Sequence, residues 1–268
     1  MNAPIGVFDS GMGGLTVMRA LMARLPNESF VYLGDTARLP YGTKSADTVR
    51  RYAVQAAKAL VARGVKLVVI ACNTASVSAD AVAEALAPVP VVGVIGPGAR
   101  AALAAAPDGP IAVIATETTV RGGAYRAAIR AQGSDVPIAQ QACPLFVPLA
   151  EEGLVDGPIV ELAVRRYLEP LLDTVPKPKA LLLACTHYPV LKDAIARFAG
   201  NDVALVDSAV TTADAVAELI VARGLANVGG VPTLKFLATD APDRFARAGE
   251  IFLGQPIDPG AVELIDLQ

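Results

Sequence analysis

The sequence has little cysteine, a single histidine and no long hydrophobic run. Three cysteines are too few for a disulfide scaffold, and their odd number indicates free thiols in a reducing compartment. Hydrophobic residues make up 53% of the 268 residues, but they occur in runs far shorter than the roughly 20 that cross a bilayer. The chain opens without the basic region and long apolar stretch of a secretory signal. These absences predict a soluble, cytoplasmic protein without a membrane partner.

Charge of one sign is not in excess either. There are 23 Lys and Arg against 26 Asp and Glu, a formal net charge of -3, so no general attraction to a nucleic-acid backbone or an anionic membrane surface is implied. With one histidine and no Cys-x-x-Cys pair, the ligands of a structural zinc site are missing. We therefore expect a small-molecule substrate, no nucleic acid and no metal.

Short β-branched runs alternate with alanine-rich helical patterns along the chain. Such alternation is typical of a parallel, doubly wound α/β sheet, whose ligands sit beyond the carboxyl ends of the strands. Strands are predicted at residues 5–8, 30–33, 67–71, 89–94, 110–115, 180–184, 203–206 and 234–237. Helices are predicted at residues 46–63, 76–86, 157–172, 190–199 and 212–223. Functional residues are expected just after the strands.

The sequence also resembles itself. The run Leu-Val-Val-Ile-Ala-Cys at 67–72 has a counterpart in Ala-Leu-Leu-Leu-Ala-Cys at 180–185. Apolar runs match easily by chance, but this match also places Cys185 on Cys72 at the end of a strand. Two copies of one α/β unit that face each other would put one thiol on each side of a shared cleft.

A weaker match, of residues 5–10 with 111–116, supports the same division. We expect two similar doubly wound α/β domains with a shared interdomain cleft. The first domain would comprise residues 1–97 plus 207–268 and the second residues 98–206, with crossings near Gly96-Pro97-Gly98 and Asp207-Ser208.

Cys72 has two interpretations. Free cysteine is often a small buried hydrophobe with no chemical role. However, a strand is predicted to end and a helix to begin here, and backbone N–H groups at a helix start favour a thiolate. Asn73 and Thr74 follow directly and can hydrogen-bond a ligand.

Cys185 repeats this arrangement, and His187 stands two residues after it. A single histidine is often structural, but imidazole is the side chain best suited to exchange a proton with a thiol near neutral pH. Cys143 lacks comparable polar neighbours, and we assign it no catalytic role.

The glycine-rich loop from Asp9 to Gly14 follows the first predicted strand and invites a dinucleotide-binding interpretation. That fingerprint requires glycine where Thr16 stands, and the carboxylate of Asp9 would repel a pyrophosphate. The alternative is a carboxylate and the Ser10 hydroxyl at the cleft floor, with glycines that let the backbone approach a small ligand.

Two further segments have a structural and a functional interpretation. Tyr41 and Gly42 follow the second predicted strand and form either a surface turn or part of the cleft. The segment Glu151-Glu152-Gly153 is either a solvated helix end or a source of a carboxylate for the site.

Five ordered motifs resemble the glutamate racemase family. The resemblance extends from residue 6 to about residue 208, most of the chain, and such a set of motifs is specific. The motifs are Val-Phe-Asp-Ser-Gly-Met-Gly-Gly-Leu-Thr at 7–16, Pro-Tyr-Gly at 40–42, Ala-Cys-Asn-Thr-Ala at 71–75, Ala-Cys-Pro-Leu-Phe at 142–146 and Cys-Thr-His-Tyr-Pro at 185–189.

The resemblance implies two similar α/β domains that interconvert L- and D-glutamate without a cofactor and supply D-glutamate for bacterial peptidoglycan. It implies that Cys72 and Cys185 are the two acid/base groups and that Asp9, Glu152 and His187 assist proton transfer. The substrate contacts that it implies are Asp9, Ser10, Tyr41, Gly42, Asn73, Thr74, Thr116, Thr119, Thr186 and His187. The family commonly has glycine before the second cysteine, where this chain has Ala184, so we expect an extra methyl that trims the pocket.

The chemistry agrees with this interpretation. An amino-acid α-proton is very weakly acidic, so a racemase without an electron-sink cofactor needs a base on one face and an acid on the other. The carbanion then needs directed hydrogen bonds in a water-poor site. Two thiols on opposed domains meet the first need, and backbone amides with the hydroxyls of Ser10, Thr74 and Thr186 meet the second.

Three other functions stay open at this stage. An aspartate racemase of the same superfamily shares the two-cysteine logic, although Asp9-Ser10 and His187 favour the glutamate branch. A pyridoxal-phosphate racemase would need a strand-end lysine, and none stands in such a context. A two-lobed small-molecule binding protein would be expected to carry an export signal. The oligomeric state is also left open, with a homodimer as one option.

Overall fold

The computed structural model describes residues 3–174 and 176–267. Its strands are β1 (Ile5–Asp9), β2 (Phe30–Gly34), β3 (Leu67–Ile70), β4 (Val91–Gly93), β5 (Ile111–Ala115), β6 (Ile138–Ala142), β7 (Ala180–Ala184), β8 (Ala204–Asp207), β9 (Leu234–Ala238) and β10 (Val262–Leu264). Its α-helices are α1 (Leu15–Arg24), α2 (Ala46–Val61), α3 (Asn73–Ser76), α4 (Ala79–Leu86), α5 (Ile95–Ala105), α6 (Glu117–Gly122), α7 (Ala124–Arg130), α8 (Phe146–Glu151), α9 (Pro158–Leu172), α10 (Lys192–Ala199), α11 (Ser208–Ala222) and α12 (Pro242–Leu253).

The strands form two sheets with the same core topology. One sheet has the order β10-β9-β2-β1-β3-β4 and the other the order β6-β5-β7-β8. Every pairing among the described strands is parallel. The predicted fold class, α/β with two similar parallel units, is therefore confirmed.

The register of the central strands confirms the internal repeat. Ile5 of β1 lies opposite Leu67 of β3, and Ile111 of β5 lies opposite Ala180 of β7. These are the residues that the sequence comparison matched. Both cysteines that end the repeated runs consequently lie at the carboxyl end of the equivalent strand.

Helix α2 shows how the sequence builds the layers around a sheet. Ser45 caps it by accepting a hydrogen bond from the backbone N–H of Thr48 at 3.4 Å, which satisfies one of the free N–H groups at the helix start. The helix then buries a stripe with the spacing of one helical face. The buried residues of this stripe are Val49, Ala53, Ala56, Ala57 and Leu60. The stripe packs in one core with Phe8 of β1 and Ile70 of β3.

The predicted crossing segments lie in helical structure. Residues 96–98 form the first turn of α5, not a linker, and α5 leads from β4 of the first sheet to β5 of the second. The segment 207–208 is the junction of β8 and α11, which leads back to β9 of the first sheet. Asp207 caps α11 by accepting from the N–H of Ala209 at 2.7 Å. Helices therefore carry the chain between the sheets in both directions.

Two strands escaped the sequence prediction, and both lie at sheet edges. β6 reads Ile-Ala-Gln-Gln-Ala and is only partly buried, and β10 is three residues long with two of them exposed. A strand that is not buried on both faces lacks the continuous apolar run that marked the central strands. The predicted helix at 76–86 is also divided, into α3 and α4. Across residues 3–174 and 176–267, no helix has both the length and the apolar character needed to cross a membrane.

Candidate active site

A cavity lies where the carboxyl ends of β1, β3, β5 and β7 approach one another. Its volume is about 840 Å³, including the space at its open mouth. The lining residues are Ser10, Gly11, Leu39, Pro40, Tyr41, Gly42, Thr43, Cys72, Asn73, Thr74, Thr116, Glu117, Pro144, Val147, Pro148, Glu151, Cys185, Thr186 and His187. Both sheets therefore contribute to one cavity.

Matched positions of the two repeats face this cavity together. Ser10 follows β1 and Thr116 follows β5, while Cys72 and Cys185 follow β3 and β7. Because the repeats contribute equivalent strand ends, the cavity has a thiol and a neighbouring hydroxyl from each side.

Cys72 is the N-cap of α3, so the predicted helix start is confirmed. Its sulfur accepts a hydrogen bond from the N–H of Ala75 at 3.4 Å and lies 3.7 Å from the Ser10 hydroxyl. Burial, together with the charge of Asp9, raises the pKa of the Cys72 thiol to about 12, although these hydrogen bonds oppose the shift. The free cavity thus holds Cys72 in its protonated form at neutral pH.

Cys185 lies in a similar environment, with a histidine in place of the capping contact. Its sulfur is 3.9 Å from Nδ1 of His187, and the residue is buried. Burial raises its pKa well above the ordinary value, and the charges of Cys72 and Asp9 act in the same direction. Both thiols need an additional positive charge nearby before either one ionises.

His187 is held on several sides. Its Nε2 is 3.1 Å from Oε1 of Glu151, and its ring meets that of Phe252 edge to face at a centroid distance of 5.1 Å. Gly13 approaches so closely that a Cβ there would lie 2.5 Å from the ring. Because a carboxylate accepts hydrogen bonds, Nε2 is the nitrogen that donates to Glu151, and Nδ1 is the nitrogen that faces Cys185.

Asp9, at the end of β1, is completely buried. Its Oδ2 accepts from the N–H of Gly11 at 2.9 Å, and its Oδ1 accepts from the Thr186 hydroxyl at 3.4 Å. Burial raises the pKa of this carboxyl, and the charge of His187 counteracts the shift. Asp9 therefore links the loop after β1 to the segment after β7.

Asn73 carries an unpartnered donor. The hydroxyl of Tyr125 donates to its Oδ1, and both residues are buried. Its Nδ2, which is buried as well, has no hydrogen-bond partner. A buried amide N–H without a partner is costly, and a ligand in the cavity would satisfy this one.

The remaining predicted substrate contacts are three threonines, Tyr41 and Gly42. The hydroxyls of Thr74, Thr116 and Thr119 form a triangle with distances of 3.0, 3.3 and 3.0 Å. Thr119 contacts the other two hydroxyls and does not itself line the cavity. Tyr41 is fixed by a hydrogen bond from its hydroxyl to Asp35. Gly42 is close enough to Thr116 that a Cβ would lie 2.9 Å from it.

In the structure Glu151, and not the predicted Glu152, is the carboxylate beside His187. Glu151 is the residue that lines the cavity and contacts His187, while Glu152 is exposed and lines a separate surface depression. Consecutive residues at a helix end point in directions about 100° apart, so only one of them faces the cleft. Burial raises the pKa of Glu151, but its hydrogen bond and charge interaction with His187, together with Arg244, lower it below the ordinary value.

Glu151→Gln and Glu152→Gln distinguish the two carboxylates. We expect Glu151→Gln to lower kcat/KM for glutamate roughly 10- to 100-fold, because the amide no longer fixes the His187 tautomer. Glu152→Gln should leave it within about twofold. Circular dichroism of the substrate measures both rates, and a larger loss for the second variant would refute the assignment.

Ala184 does not trim the pocket, so that expectation is wrong. The residue is fully buried in β7, and it packs in the core beside residues of α5 and α7. It does not contribute to the cavity wall. Its methyl therefore fills the core of the second sheet, and the cavity is unchanged.

Sequence reasoning missed the apolar wall. Leu39, Val147 and Pro148 line the cavity beside the polar residues. Pro144 lies inside one of the recognised motifs, and it was the sequence signal available for the segment that contributes Val147 and Pro148.

Cys143 packs in the core of the second sheet, with its sulfur 3.7 Å from the Gln141 carbonyl oxygen. Within the described ranges, no three His, Cys, Asp or Glu side chains are grouped to hold a metal ion.

Two buried thiols on matched strand ends, with a carboxylate-bound histidine beside one of them, form the candidate site of this parallel α/β protein. The chain belongs to the Asp/Glu/Hydantoin racemase family, whose sequence model matches residues 5–216. It is therefore a racemase, an isomerase that acts on amino acids.

Relatives with known names support this membership. The chain is 48% identical to a glutamate racemase of Syntrophus aciditrophicus, over 98% of this chain and 97% of that one. It resembles the crystal structure of a glutamate racemase from Francisella tularensis in complex with D-glutamate, with a TM-score of 0.91, 40% identity and coverage of 99% and 98%. For the Thermus thermophilus enzyme in complex with beta-chloro-D-alanine the TM-score is 0.89, with 46% identity and coverage of 99% and 98%.

Proposed function

We propose that this protein interconverts L- and D-glutamate by moving the α-proton between Cys72 and Cys185 without a cofactor. The observation that carries the proposal is the placement of the two thiols: both are buried, both follow equivalent strand ends, and both line one cavity. An α-carbon between them can lose its proton to one sulfur and receive a proton from the other on the opposite face.

Substrate binding supplies the charge that ionises a thiol. The pKa of each thiol is raised by burial in the free cavity. An amino acid brings an α-ammonium group next to the reacting carbon, and a positive charge within a few ångströms favours a thiolate. The active base therefore forms only when the substrate is present, which protects it from side reactions.

His187 provides a local base for Cys185. Its Nδ1 accepts the thiol proton, and Glu151 stabilises the resulting imidazolium through Nε2. Asp9 plays the corresponding role near Cys72: its buried carboxylate, whose pKa burial raises and which is hydrogen-bonded to Cys72, accepts the proton of that thiol. The assisting residues thus differ between the two sides, although the thiols are equivalent.

The substrate carboxylate is held by a donor that has no other partner. Nδ2 of Asn73 is available for this, and Tyr125 fixes its direction by donating to Oδ1. Hydrogen bonds of this kind also stabilise charge that moves from the α-carbon to the carboxylate oxygens. The residues Ser10, Thr74 and Thr186, which carry hydroxyls, line the same cavity.

Glutamate, rather than aspartate, is proposed because the named relatives at 40–48% identity are glutamate racemases. The product would then supply D-glutamate for peptidoglycan in the cytoplasm. We further propose that the two sheets belong to domains at residues 1–97 plus 207–268 and 98–206. Racemisation of aspartate faster than glutamate by the purified protein would instead favour the aspartate branch.

Racemisation in D2O tests the two-base mechanism. L-glutamate should give D-glutamate that carries solvent deuterium at Cα, because the delivering thiol has exchanged with solvent. Substrate recovered early should remain protiated, because the proton that was removed stays on the other cysteine. Mass spectrometry after chiral separation measures both species, without any added cofactor.

A single-base enzyme would behave differently in the same experiment. It would return the original hydrogen to the opposite face, so that the product would retain protium. Abundant protium carried from L-substrate into D-product would exclude the proposed mechanism. Absence of any change with glutamate, aspartate and alanine would exclude racemase activity on these substrates.

A further inference from the structure

Helix α12 reaches the candidate site from outside the part of the chain that the family model matches. The match ends at residue 216, and α12 spans Pro242–Leu253. Phe245 anchors this helix to the first sheet, with its ring 5.9 Å from that of Tyr32. The hydroxyl of Tyr32 in turn donates to the Gly11 carbonyl at 3.0 Å. The helix is therefore packed directly beneath the loop that forms the cavity floor.

Two side chains of α12, about two helical turns apart, meet the histidine assembly. Nη2 of Arg244 lies 3.4 Å from Oε2 of Glu151, and the other oxygen of the same carboxylate binds His187. Phe252 is fully buried and packs edge to face with the His187 ring. One residue thus fixes the carboxylate, and the other limits rotation of the imidazole.

We propose that Arg244 is a positioning residue for the reaction, which holds Glu151 in line with His187 so that the imidazole keeps Nδ1 toward Cys185. The proposal rests on the proposed function, in which His187 accepts and returns the proton of Cys185. It adds a residue near the carboxyl terminus that none of the five sequence motifs contains.

The structural reason is that two contacts fix one carboxylate. Glu151 is mostly buried, with 14% of its side chain exposed. Arg244 contacts its Oε2, and His187 is hydrogen-bonded to its Oε1. Without Arg244 the carboxylate can turn about its side-chain bonds, and the imidazole bonded to it loses its fixed orientation. Nδ1 is then no longer held toward Cys185.

The other groups that face His187 do not replace this contact. The Cys185 thiol and the Thr186 hydroxyl lie near Nδ1, and the buried carboxyl of Asp9 interacts with the ring through its charge. Each of them faces the cavity side of the ring. Arg244 alone, among the described cations, is paired with the carboxylate on the Nε2 side.

Arg247 provides a matched control. It lies on the same helix, one turn after Arg244, and is exposed. It makes no described ion pair with Glu151. Arg244→Gln and Arg247→Gln therefore remove the same charge from the same helix, and only the first removes the contact with the carboxylate.

The single histidine makes the experiment direct. Protein without an affinity tag, labelled with ¹⁵N-histidine, gives ring signals from His187 alone. In Arg244→Gln we expect these ring signals, recorded at one fixed pH, to move, and kcat to fall roughly 3- to 10-fold with little change in KM, because the histidine is less well positioned. Arg247→Gln should leave the ring signals and the rates unchanged, and Arg244→Lys should restore much of the wild-type behaviour.

A double variant tests the route through Glu151. In a Glu151→Gln background, Arg244→Gln should produce no further shift, because the carboxylate that Arg244 acts on is gone. The proposal would be overturned if Arg244→Gln moved the His187 ring signals just as far in that background. It would also be overturned if wild type and Arg244→Gln gave the same ring signals and the same rates. Because the ring signals are read without turnover, such a failure is distinct from a failure of the two-cysteine mechanism, which the D2O experiment tests.

Discussion

Replacement of either Cys72 or Cys185 by serine is expected to lower kcat/KM for glutamate by at least about 10³-fold. A serine hydroxyl is far less acidic than a thiol, so it neither ionises to remove the α-proton nor delivers a proton readily. The substitution changes one buried atom in each case, and the cavity should keep its shape. Circular dichroism at fixed enzyme concentration measures the loss in both directions.

The two directions must be affected equally. Enantiomers have equal free energies in water, so the equilibrium constant is one, and kcat/KM is the same from L- and from D-glutamate in every variant. Each turnover also needs both sulfurs, one as base and one as acid. A variant whose rates seemed to differ between directions in kcat/KM would indicate a faulty assay and not a one-sided mechanism.

Cys143 supplies the control for these substitutions. It is as buried as the other two cysteines, but it packs in the core of the second sheet and does not line the cavity. Cys143→Ala should lower the free energy of unfolding by about 1 kcal/mol and leave kcat unchanged. Near-normal turnover in Cys185→Ser, or a loss in Cys143→Ala as large as in Cys185→Ser, would contradict the two-thiol mechanism.

Burial on both faces explains why the central strands could be predicted. The strands β1, β3, β5 and β7 are continuous apolar runs because helices cover both sides of each sheet. The residues at their ends line the cavity, and these include both cysteines. The edge strands β4 and β8 keep enough apolar residues to be predicted, whereas β6 and β10 contain polar or exposed positions and resemble loops in sequence.

Side-chain direction explains what could not be predicted at the site. Glu151 and Glu152 are identical residues in sequence, and only the phase of α8 decides which one meets His187. Arg244 reaches the same carboxylate from a helix more than 90 residues away along the chain. Tyr125 likewise meets Asn73 from the other sheet's helices. Contacts between elements so far apart leave no local pattern to recognise.

Gly13→Ala should have the second large effect, a loss of roughly 10²-fold in kcat/KM. An added Cβ would lie 2.5 Å from Cε1 and Nδ1 of His187 and 2.6 Å from the Thr186 hydroxyl oxygen. No side chain tolerates such distances, so either the loop or the histidine must move. Nδ1 is the atom that faces Cys185, and its displacement separates the thiol from its local base.

This glycine also revises the role of the loop. The sequence suggested that its glycines let the backbone approach a ligand, whereas Gly13 lets the loop after β1 approach the segment after β7. The close contact, together with the hydrogen bond from Thr16 to the Thr186 carbonyl at 3.0 Å, joins the two halves of the site.

Gly96→Ala is the matched control for this substitution. Gly96 lies in the first turn of α5, and the nearest atom to an added Cβ is Nη1 of Arg100 at 3.7 Å, an ordinary contact. This variant should keep kcat/KM within about twofold, because the added Cβ meets no residue of the site. In Gly13→Ala the ¹⁵N signals of His187 should shift together with the loss of activity, because the same displacement causes both. The contrary result would be a Gly13→Ala variant that keeps kcat/KM within threefold of wild type and leaves the His187 ring signals unshifted. That result would show that the loop moves without displacing the histidine. The two halves of the site would then not be rigidly joined at Gly13.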